Sequence, residues 1–237
     1  MSAATTDIDP AIRRRLALVL DLDDADAAIA LATGLQPWFG VAKVGLELYT
    51  AAGPAVVLRL QDAGFEVFLD VKLHDIPNTV GRAARVAGRL GVSYLTVHTA
   101  GGVAMVHAAV AGLAEGATGG SERAPVALGV TVLTSEPDAS AFDARLQVAL
   151  DARCGGIVCA VSEVARVKRD HRDLVVAVPG IRARGDDHHD QARVGAPGEV
   201  AALGADLLVV GRAVTAADDP RRAAAQMHDD IAASTQS

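Results

Sequence analysis

The sequence predicts an α/β fold, a (β/α)8 TIM barrel, formed by a single domain over residues 1–237. Three observations support this prediction: short runs of branched apolar residues recur eight times, helix-like segments separate them, and no Pro/Gly/Ser-rich linker divides the chain. Strands that alternate with helices form a parallel sheet through right-handed crossovers. Eight such units fit a chain of about 240 residues, whereas a doubly wound sheet more often has five or six strands and a glycine-rich nucleotide turn.

The predicted strands are short runs of branched apolar residues. In chain order they are LALVLD (16–21), VAKVG (41–45), FEVFLD (65–70), SYLTVH (93–98), VALGVTVL (126–133), GIVCA (156–160), LVVAVPG (174–180) and DLLVVG (206–211). The segments between them, such as VGRAARVAGRL and GGVAMVHAAVAGLAEG, have the composition of helices. Residues 220–237 predict a last helix.

Composition and charge exclude several classes of protein. The chain is 51% hydrophobic but 3% aromatic, so its core must consist of Ala, Val, Leu and Ile. A net charge of -7 disfavours binding to nucleic acid, and charges or glycines interrupt every apolar run before it could span a membrane. We expect Cys154 and Cys159 to be buried thiols in a cytoplasmic protein. The run RRR at 13–15 is interpreted as a solvated face.

Polar side chains collect where the predicted strands end. Ligands bind at the carboxyl ends of the strands in a barrel of this kind, so these positions are candidate site residues. They are Asp21 after the first run, Lys43 in the second, Asp70 and Lys72 after the third, Thr134 after the fifth, and Arg182 and Arg212 after the seventh and eighth. Charges of both signs are therefore expected on one rim.

The segment LDVKLHDIPNT places a lysine between two aspartates. Because strand side chains alternate, Asp70 and Lys72 are predicted to point to the same side, and Asp75 lies beyond the strand. Asn78 or Thr79 is predicted to cap the helix that follows. Nearby carboxylates favour the ammonium form of Lys72, which makes it a candidate general acid. A purely structural ion network remains the alternative interpretation.

Two arginines suggest a phosphate-bearing ligand. Arg182 ends the motif PGIR, which Gln191 follows in DQAR, and Arg212 ends the motif VVGR. Loops after the seventh and eighth strands commonly bind phosphate in this fold, where backbone N–H groups and arginine meet the oxygens. His188 and His189 lie in an acidic loop between these motifs and are interpreted as solvated residues, so no metal site is predicted.

Taken together, LDVKLHDIPNT, AKVGLELY, VTVLTS, VPGIR with DQAR, and VVGR resemble the orotidine 5′-monophosphate decarboxylases of the bacterial type. The resemblance extends from about Leu16 to Arg212, and the eleven-residue block is its most specific part. It implies a (β/α)8 homodimer without a cofactor that converts orotidine 5′-monophosphate to uridine 5′-monophosphate (UMP), the last step of pyrimidine nucleotide synthesis.

The resemblance also implies roles for individual residues. Lys72 matches the proton donor, Asp70 would face the substrate carboxylate, and Lys43 would belong to the same charge network and bind ribose. Substrate contacts are further implied for Asp21 at the ribose, Thr134 at the base, Ile76 and Pro179, and Arg182, Gln191, Gly211 and Arg212 around the phosphate and ribose. Asp75 and Thr79 would reach the site of the partner subunit.

Two alternatives remain open at this stage. A magnesium-dependent sugar-phosphate decarboxylase or aldolase of the same barrel suprafamily shares the D-x-K-x-x-D pattern, but it carries an acid where this chain has Lys43. A non-catalytic protein that binds nucleotide phosphates would keep the arginines. It would not require an intact set of Asp70, Lys72 and Asp75.

Overall fold

Eight parallel strands close into a barrel in the order in which they occur along the chain. The computed structural model describes residues 8–117, 123–133, 135–136, 138–182 and 195–234. The strands are Leu16–Leu20 (β1), Val41–Val44 (β2), Glu66–Leu73 (β3), Tyr94–His98 (β4), Val126–Val130 (β5), Gly156–Val158 (β6), Val175–Val178 (β7) and Leu207–Val210 (β8). The predicted (β/α)8 fold is confirmed.

Helices lie around the outside of the barrel, one before the first strand and the others after the strands. They are Pro10–Arg15 (α1), Ala25–Leu35 (α2), Leu46–Ala52 (α3), Ala55–Asp62 (α4), Pro77–Arg89 (α5), Gly102–Gly116 (α6), Phe142–Asp151 (α7), Val161–Asp170 (α8), Pro197–Ala202 (α9), Arg212–Thr215 (α10) and Pro220–Ser234 (α11), with a 3₁₀ turn at Thr99–Gly101. Within the described part of the chain, every helix is too short or too polar to cross a membrane.

Alternation along the strands separates two apolar cores. In β1, Leu16 and Leu18 belong to the large core between the strands and the helices, whereas Ala17 belongs to a smaller cluster inside the barrel. The buried members of that inner cluster are Ala17, Val41, Phe68, Leu128, Ala177, Leu207 and Val209. Every second residue of β1 faces the inside of the barrel, so Val19 and then Asp21 follow Ala17 on this face. Apolar residues therefore fill the barrel, and polar side chains follow at its carboxyl end.

Strand β3 departs from regular pairing near its end. Leu69 pairs with Leu95 and Leu73 with Val97, so four residues along β3 correspond to two along β4. Lys72, within this bulge, has φ of 46°, in the left-handed region that residues with a side chain seldom adopt. The predicted end of this strand at Asp70 was wrong, because β3 continues to Leu73. Asp70 and Lys72 do face the same side, as predicted, since both line one cavity, but a bulge and not regular pleating carries the chain through Lys72.

Helix α5 begins immediately after the bulged strand. Pro77 is its first residue and Ile76, in an extended conformation, is its N-cap, without a capping bond from a side chain. The prediction that Asn78 or Thr79 caps this helix was wrong, because both residues lie in its first turn. Proline suits the first helical position, where its fixed φ and missing N–H cost nothing, and it moves the helix start ahead of both residues.

Helices α5 and α6 pack with their backbones in contact. A Cβ on Gly112 would collide with the carbonyl oxygen of Gly81, and a Cβ on Gly116 would collide with that of Arg85. Glycines are required here because no side chain fits between the two backbones. The close packing fixes the start of α5, and with it the loop that leaves β3.

Cys154 and Cys159 are buried free thiols, as predicted, and burial raises the pKa of Cys154 to about 12.

The interpretation of the run RRR at 13–15 as a solvated face was wrong for two of its residues. Arg13 donates to the carbonyl of Gln36, and Arg15 donates to two carbonyls near α9. Burial lowers the pKa of Arg15, which Asp206 partly opposes.

Candidate active site

A cavity of about 310 Å³ opens at the carboxyl end of the barrel. Its apolar wall includes Phe68, Val130, Val132, Val158 and Ile181. The sequence-predicted residues that line it are Asp21, Lys43, Asp70, Lys72, Pro179, Arg182, Gly211 and Arg212. These residues lie in or directly after five different strands, and closure of the sheet brings them together.

Asp70 lies at the centre of the charges in this cavity. Lys72 Nζ lies 2.9 Å from Asp70 Oδ1 and 3.0 Å from Oδ2, so the ammonium bonds both oxygens. Lys43 Nζ approaches Asp70 Oδ2 from another side at 3.5 Å. The Asp70 side chain is 14% exposed. One carboxylate is therefore held between two ammonium groups.

Lys43 extends the network to the first strand. It is buried in β2, and its Nζ lies 3.5 Å from Asp21 Oδ1 as well as from Asp70. Gly45 leaves the space for this arrangement, because a Cβ there would lie 2.9 Å from Asp21 Oδ1 and 3.1 Å from Lys43 Nζ. The charges thus alternate in sign from Asp21 to Lys43, Asp70 and Lys72, and each carboxylate faces at least one ammonium.

Thr96 is a member of this network that the sequence analysis did not identify. It is fully buried in β4, and its Oγ1 accepts the Lys72 backbone N–H at 2.9 Å and donates to Asp70 Oδ1 at 3.0 Å. A signal was present in the run SYLTVH, where Thr96 is a hydroxyl residue two positions after Tyr94, on the inner face. The partners of the hydroxyl depend on the pairing of β3 with β4, which the run does not reveal.

The protonation of Asp70 reflects two opposing effects. Burial by itself would raise the pKa of this carboxyl, but Lys43, Lys72 and the hydrogen bonds from Lys72 and Thr96 together bring the pKa below its ordinary value. Asp70 is therefore a carboxylate in the folded protein at neutral pH. A second anionic group brought beside it would be repelled.

The part of the cavity at the ends of β7 and β8 carries the arginines. Pro179 and Gly180 follow β7, and Gly180 has φ of 79°, which turns the chain toward Arg182. Arg212 begins α10 directly after Gly211. The site thus has two chemically different ends, an alternating charge network on β1 to β3 and a cationic end after β7 and β8.

Three sequence-predicted residues lie outside the lining of this cavity, and two others fall outside the described residues. Asp75, Ile76 and Thr79 are exposed and lie outside its lining, and Asp75 Oδ1 accepts the Ile76 backbone N–H at 2.6 Å. Thr134 and Gln191 lie outside the described residues, as do His188 and His189.

Two histidines border the loop that carries Asp75. The rings of His74 and His98 stack with their centroids 5.4 Å apart, and His98 Nδ1 accepts the Ala100 backbone N–H. Burial lowers the pKa of His98, and Arg145 and His74 lower it further. The described residues contain no group of three or more His, Cys, Asp or Glu side chains arranged to hold a metal ion.

The comparisons with known proteins agree with this geometry. The model of the Orotidine 5′-phosphate decarboxylase / HUMPS family matches residues 14–227. The chain belongs to this family. The match includes every residue named above for the cavity, and it confirms the family that the sequence motifs indicated.

Individual members of the Orotidine 5′-phosphate decarboxylase / HUMPS family are similar over most of their length. The orotidine 5′-phosphate decarboxylase of Nitratidesulfovibrio vulgaris is 47% identical, over 86% of this chain and 92% of the relative. That of Moorella thermoacetica is 41% identical, over 89% of each chain. The crystal structure of the enzyme from Lactobacillus acidophilus superposes with a TM-score of 0.75 at 30% identity, covering 92% of this chain and 99% of that one.

Proposed function

We propose that this protein decarboxylates orotidine 5′-monophosphate to UMP and CO₂ without a cofactor. The observation that carries the proposal is the position of the Asp70 carboxylate between the Lys43 and Lys72 ammonium groups in the cavity. The names of the curated relatives support the same reaction. The chemistry needs a cation at the carbon that loses CO₂, and this network supplies one.

The proposed step breaks the bond between C6 of the pyrimidine and its carboxylate. CO₂ leaves, and the electron pair stays on C6. Lys72 stabilises the developing charge and donates one N–H proton to C6, after which solvent restores the ammonium. Preorganised donors of this type contribute roughly 2.7 to 4 kcal/mol each to stabilisation of the transition state.

Asp70 has two roles in this proposal. It fixes the direction of the Lys72 ammonium through both carboxylate oxygens. It also faces the substrate carboxylate, so loss of CO₂ relieves a repulsion between two anions. Lys43 moderates that repulsion and joins Asp21 at the ribose.

The substrate spans the two ends of the cavity. We place the phosphate at Arg182 and Arg212, with Gln191, Gly211 and Pro179 nearby, and the base with Thr134. An arginine bonds phosphate in a charge-assisted and often bidentate manner. Binding energy from the remote phosphate then orients the pyrimidine against Lys72.

The active form in this proposal is a homodimer with shared sites. Exposed apolar side chains follow three consecutive strands: Leu46 is 59% exposed after β2, Ile76 is 65% exposed after β3, and Val103 is 39% exposed after β4. A second copy that covers this rim would bury them. Asp75, Ile76 and Thr79 would then contact substrate in the cavity of the partner subunit.

The magnesium-dependent sugar-phosphate enzymes are the alternative. A divalent cation between Asp21 and Asp70 would have to share its position with Lys43 Nζ, which lies 3.5 Å from both carboxylates. Because like charges repel, the donor set in this cavity suits an organic cation better than a metal. The proposal further includes a single barrel domain in the cytoplasm, where the two buried thiols would stay reduced.

The direct test is to incubate the purified protein with orotidine 5′-monophosphate. We expect the substrate absorbance to fall, and UMP and CO₂ to form in equal amounts. The variant Lys72→Ala serves as the matched preparation control. An inactive wild-type protein that binds UMP would instead support a non-catalytic nucleotide-binding protein.

A further inference from the structure

The bulge in β3 creates a problem for the backbone at Lys72. Regular pairing of β3 with β4 stops after Leu69 and resumes at Leu73, so the Lys72 N–H has no place in the ladder of strand bonds. The positive φ of this residue adds conformational strain. An unpaired N–H in a partly buried position is costly, so another group must accept its hydrogen bond.

Thr96 supplies the missing acceptor from the adjacent strand. It lies between Leu95 and Val97, which are the β4 partners on either side of the bulge. Its Oγ1 accepts the Lys72 N–H at 2.9 Å, while its own proton goes to Asp70 Oδ1 at 3.0 Å. The single hydroxyl therefore joins the backbone of Lys72 to the carboxylate that holds the Lys72 ammonium.

We propose that Thr96 is a positioning residue of the decarboxylation site, which holds Lys72 and Asp70 in register with each other across the β3 bulge. The proposal rests on the proposed function for its catalytic consequence. Thr96 itself does not line the cavity and is fully buried, so it acts through its two partners and not on the substrate.

A hydroxyl is required because the position uses one donor and one acceptor at once. Valine has nearly the same shape but would leave the Lys72 N–H and one bond to Asp70 unsatisfied. Water cannot replace the hydroxyl without space, since Thr96 has no exposed surface. Serine keeps both bonds and loses the methyl group that restricts χ1.

The same bond contributes to the charge state of Asp70. The Thr96 hydrogen bond is one of the interactions that lower the pKa of this carboxyl against the effect of burial. Loss of the donor should therefore move the titration of Asp70 to higher pH. A merely structural threonine would not affect that titration.

The chain offers a matched control in Thr99. It is also buried, and its hydroxyl donates to the Val130 carbonyl at 2.8 Å, without a contact to Asp70 or Lys72. Thr96→Val, Thr96→Ser and Thr99→Val should be compared with the wild type. The measurements are kcat, KM, the midpoint of urea unfolding, the ¹³C titration of the Asp70 carboxyl and the exchange rate of the Lys72 amide proton.

We expect Thr96→Val to lower kcat by at least about tenfold, because two bonds to the reacting pair are lost, with KM within about threefold since other strands bind ribose and phosphate. The Asp70 titration should move to higher pH and the Lys72 amide should exchange faster. Thr96→Ser should bring kcat, the Asp70 titration and the Lys72 exchange rate most of the way back to their wild-type values. Thr99→Val should lose comparable stability without these changes.

The inference is overturned if Thr96→Val leaves the Asp70 titration and Lys72 exchange unchanged, or if Thr99→Val reproduces its effects. The NMR measurements need no turnover. A wild-type protein that fails to convert orotidine 5′-monophosphate, but whose Asp70 titration responds to Thr96→Val and recovers in Thr96→Ser, would refute the proposed function and keep the structural link.

Discussion

The Lys72 ammonium bonds both carboxylate oxygens of Asp70, at 2.9 and 3.0 Å, although the backbone between the two residues is bulged and Lys72 has a positive φ. A flexible lysine on a regular strand would sample many directions. Here the carboxylate restricts the ammonium, and the bulge restricts the backbone that carries it. Both restrictions reduce the reorganisation needed when charge develops beside the lysine.

Replacement of Lys72 by alanine should separate chemistry from binding. We expect turnover of orotidine 5′-monophosphate to fall roughly 100- to 1,000-fold or more, because a preorganised cation and the proton donor are removed together. UMP binding, measured by calorimetry, should change little. Lys168→Ala is the matched control, since Lys168 pairs with Asp206 at 2.8 Å away from the cavity. Near-normal turnover in Lys72→Ala would remove this residue from its assigned role.

Turnover should persist in excess EDTA. Lys43 occupies the position between Asp21 and Asp70 that a divalent cation would need, so we expect the organic cations to carry the electrostatic stabilisation. The rate should be measured before and after chelation and again after addition of Mg²⁺. Loss of activity with EDTA and recovery with Mg²⁺ would favour the sugar-phosphate alternative.

Asp70 should contribute a pH-dependent part of the stability. Its pKa is below the ordinary value of 3.8 in the folded protein, so its ionised form stabilises the fold above that value. This contribution should be lost as the pH falls from about 4 through the lower folded pKa. Urea unfolding should be measured at pH 7, 4 and 3. The difference in free energy of unfolding between the wild type and Asp70→Asn should therefore become smaller as the pH falls. An equal difference at pH 7 and pH 3 would contradict this.

Two glycine substitutions should change stability in opposite directions. A Cβ on Gly34, inside α2, would meet nothing within 4 Å, so Gly34→Ala should stabilise the protein by about 0.5 to 1 kcal/mol. A Cβ on Gly112 would strike the Gly81 carbonyl, so Gly112→Ala should destabilise it by about 1 to 3 kcal/mol. Urea unfolding measures both. A stabilised Gly112→Ala would show that α5 and α6 separate easily.

The sequence predicts the fold because eight compact apolar runs alternate with helix-like segments. Alternation then places Asp21 and Lys43 at the carboxyl end of the barrel without further information. Other features depend on pairing between segments. The run around Lys72 does not reveal that β3 is bulged, and therefore the partners of Thr96 cannot be derived from it.

Two predictions from local sequence patterns were wrong because contacts between distant segments determine the structure there. The helix after β3 begins at Pro77, so Asn78 and Thr79 are too late to cap it. Arg15 belongs to a basic run but reaches the carbonyls of Ala201 and Ala205, which are remote in sequence. Charge runs are commonly solvated, and only closure of the barrel brings these carbonyls within reach.

Asp75 is exposed and lies outside its own chain's cavity. If Asp75 completes the site of a partner subunit, active sites are shared. Mixing an inactive Lys72→Ala protein with an inactive Asp75→Asn protein should regenerate activity, because one site of each mixed dimer receives both native residues. As a control, Lys43→Ala should not complement Lys72→Ala, since both lysines line one chain's cavity and every mixed site would keep one defect. Recovery should follow subunit exchange and fail when the parent dimers are cross-linked first. Demonstrated mixed dimers without recovery would place Asp75 in the site of its own chain.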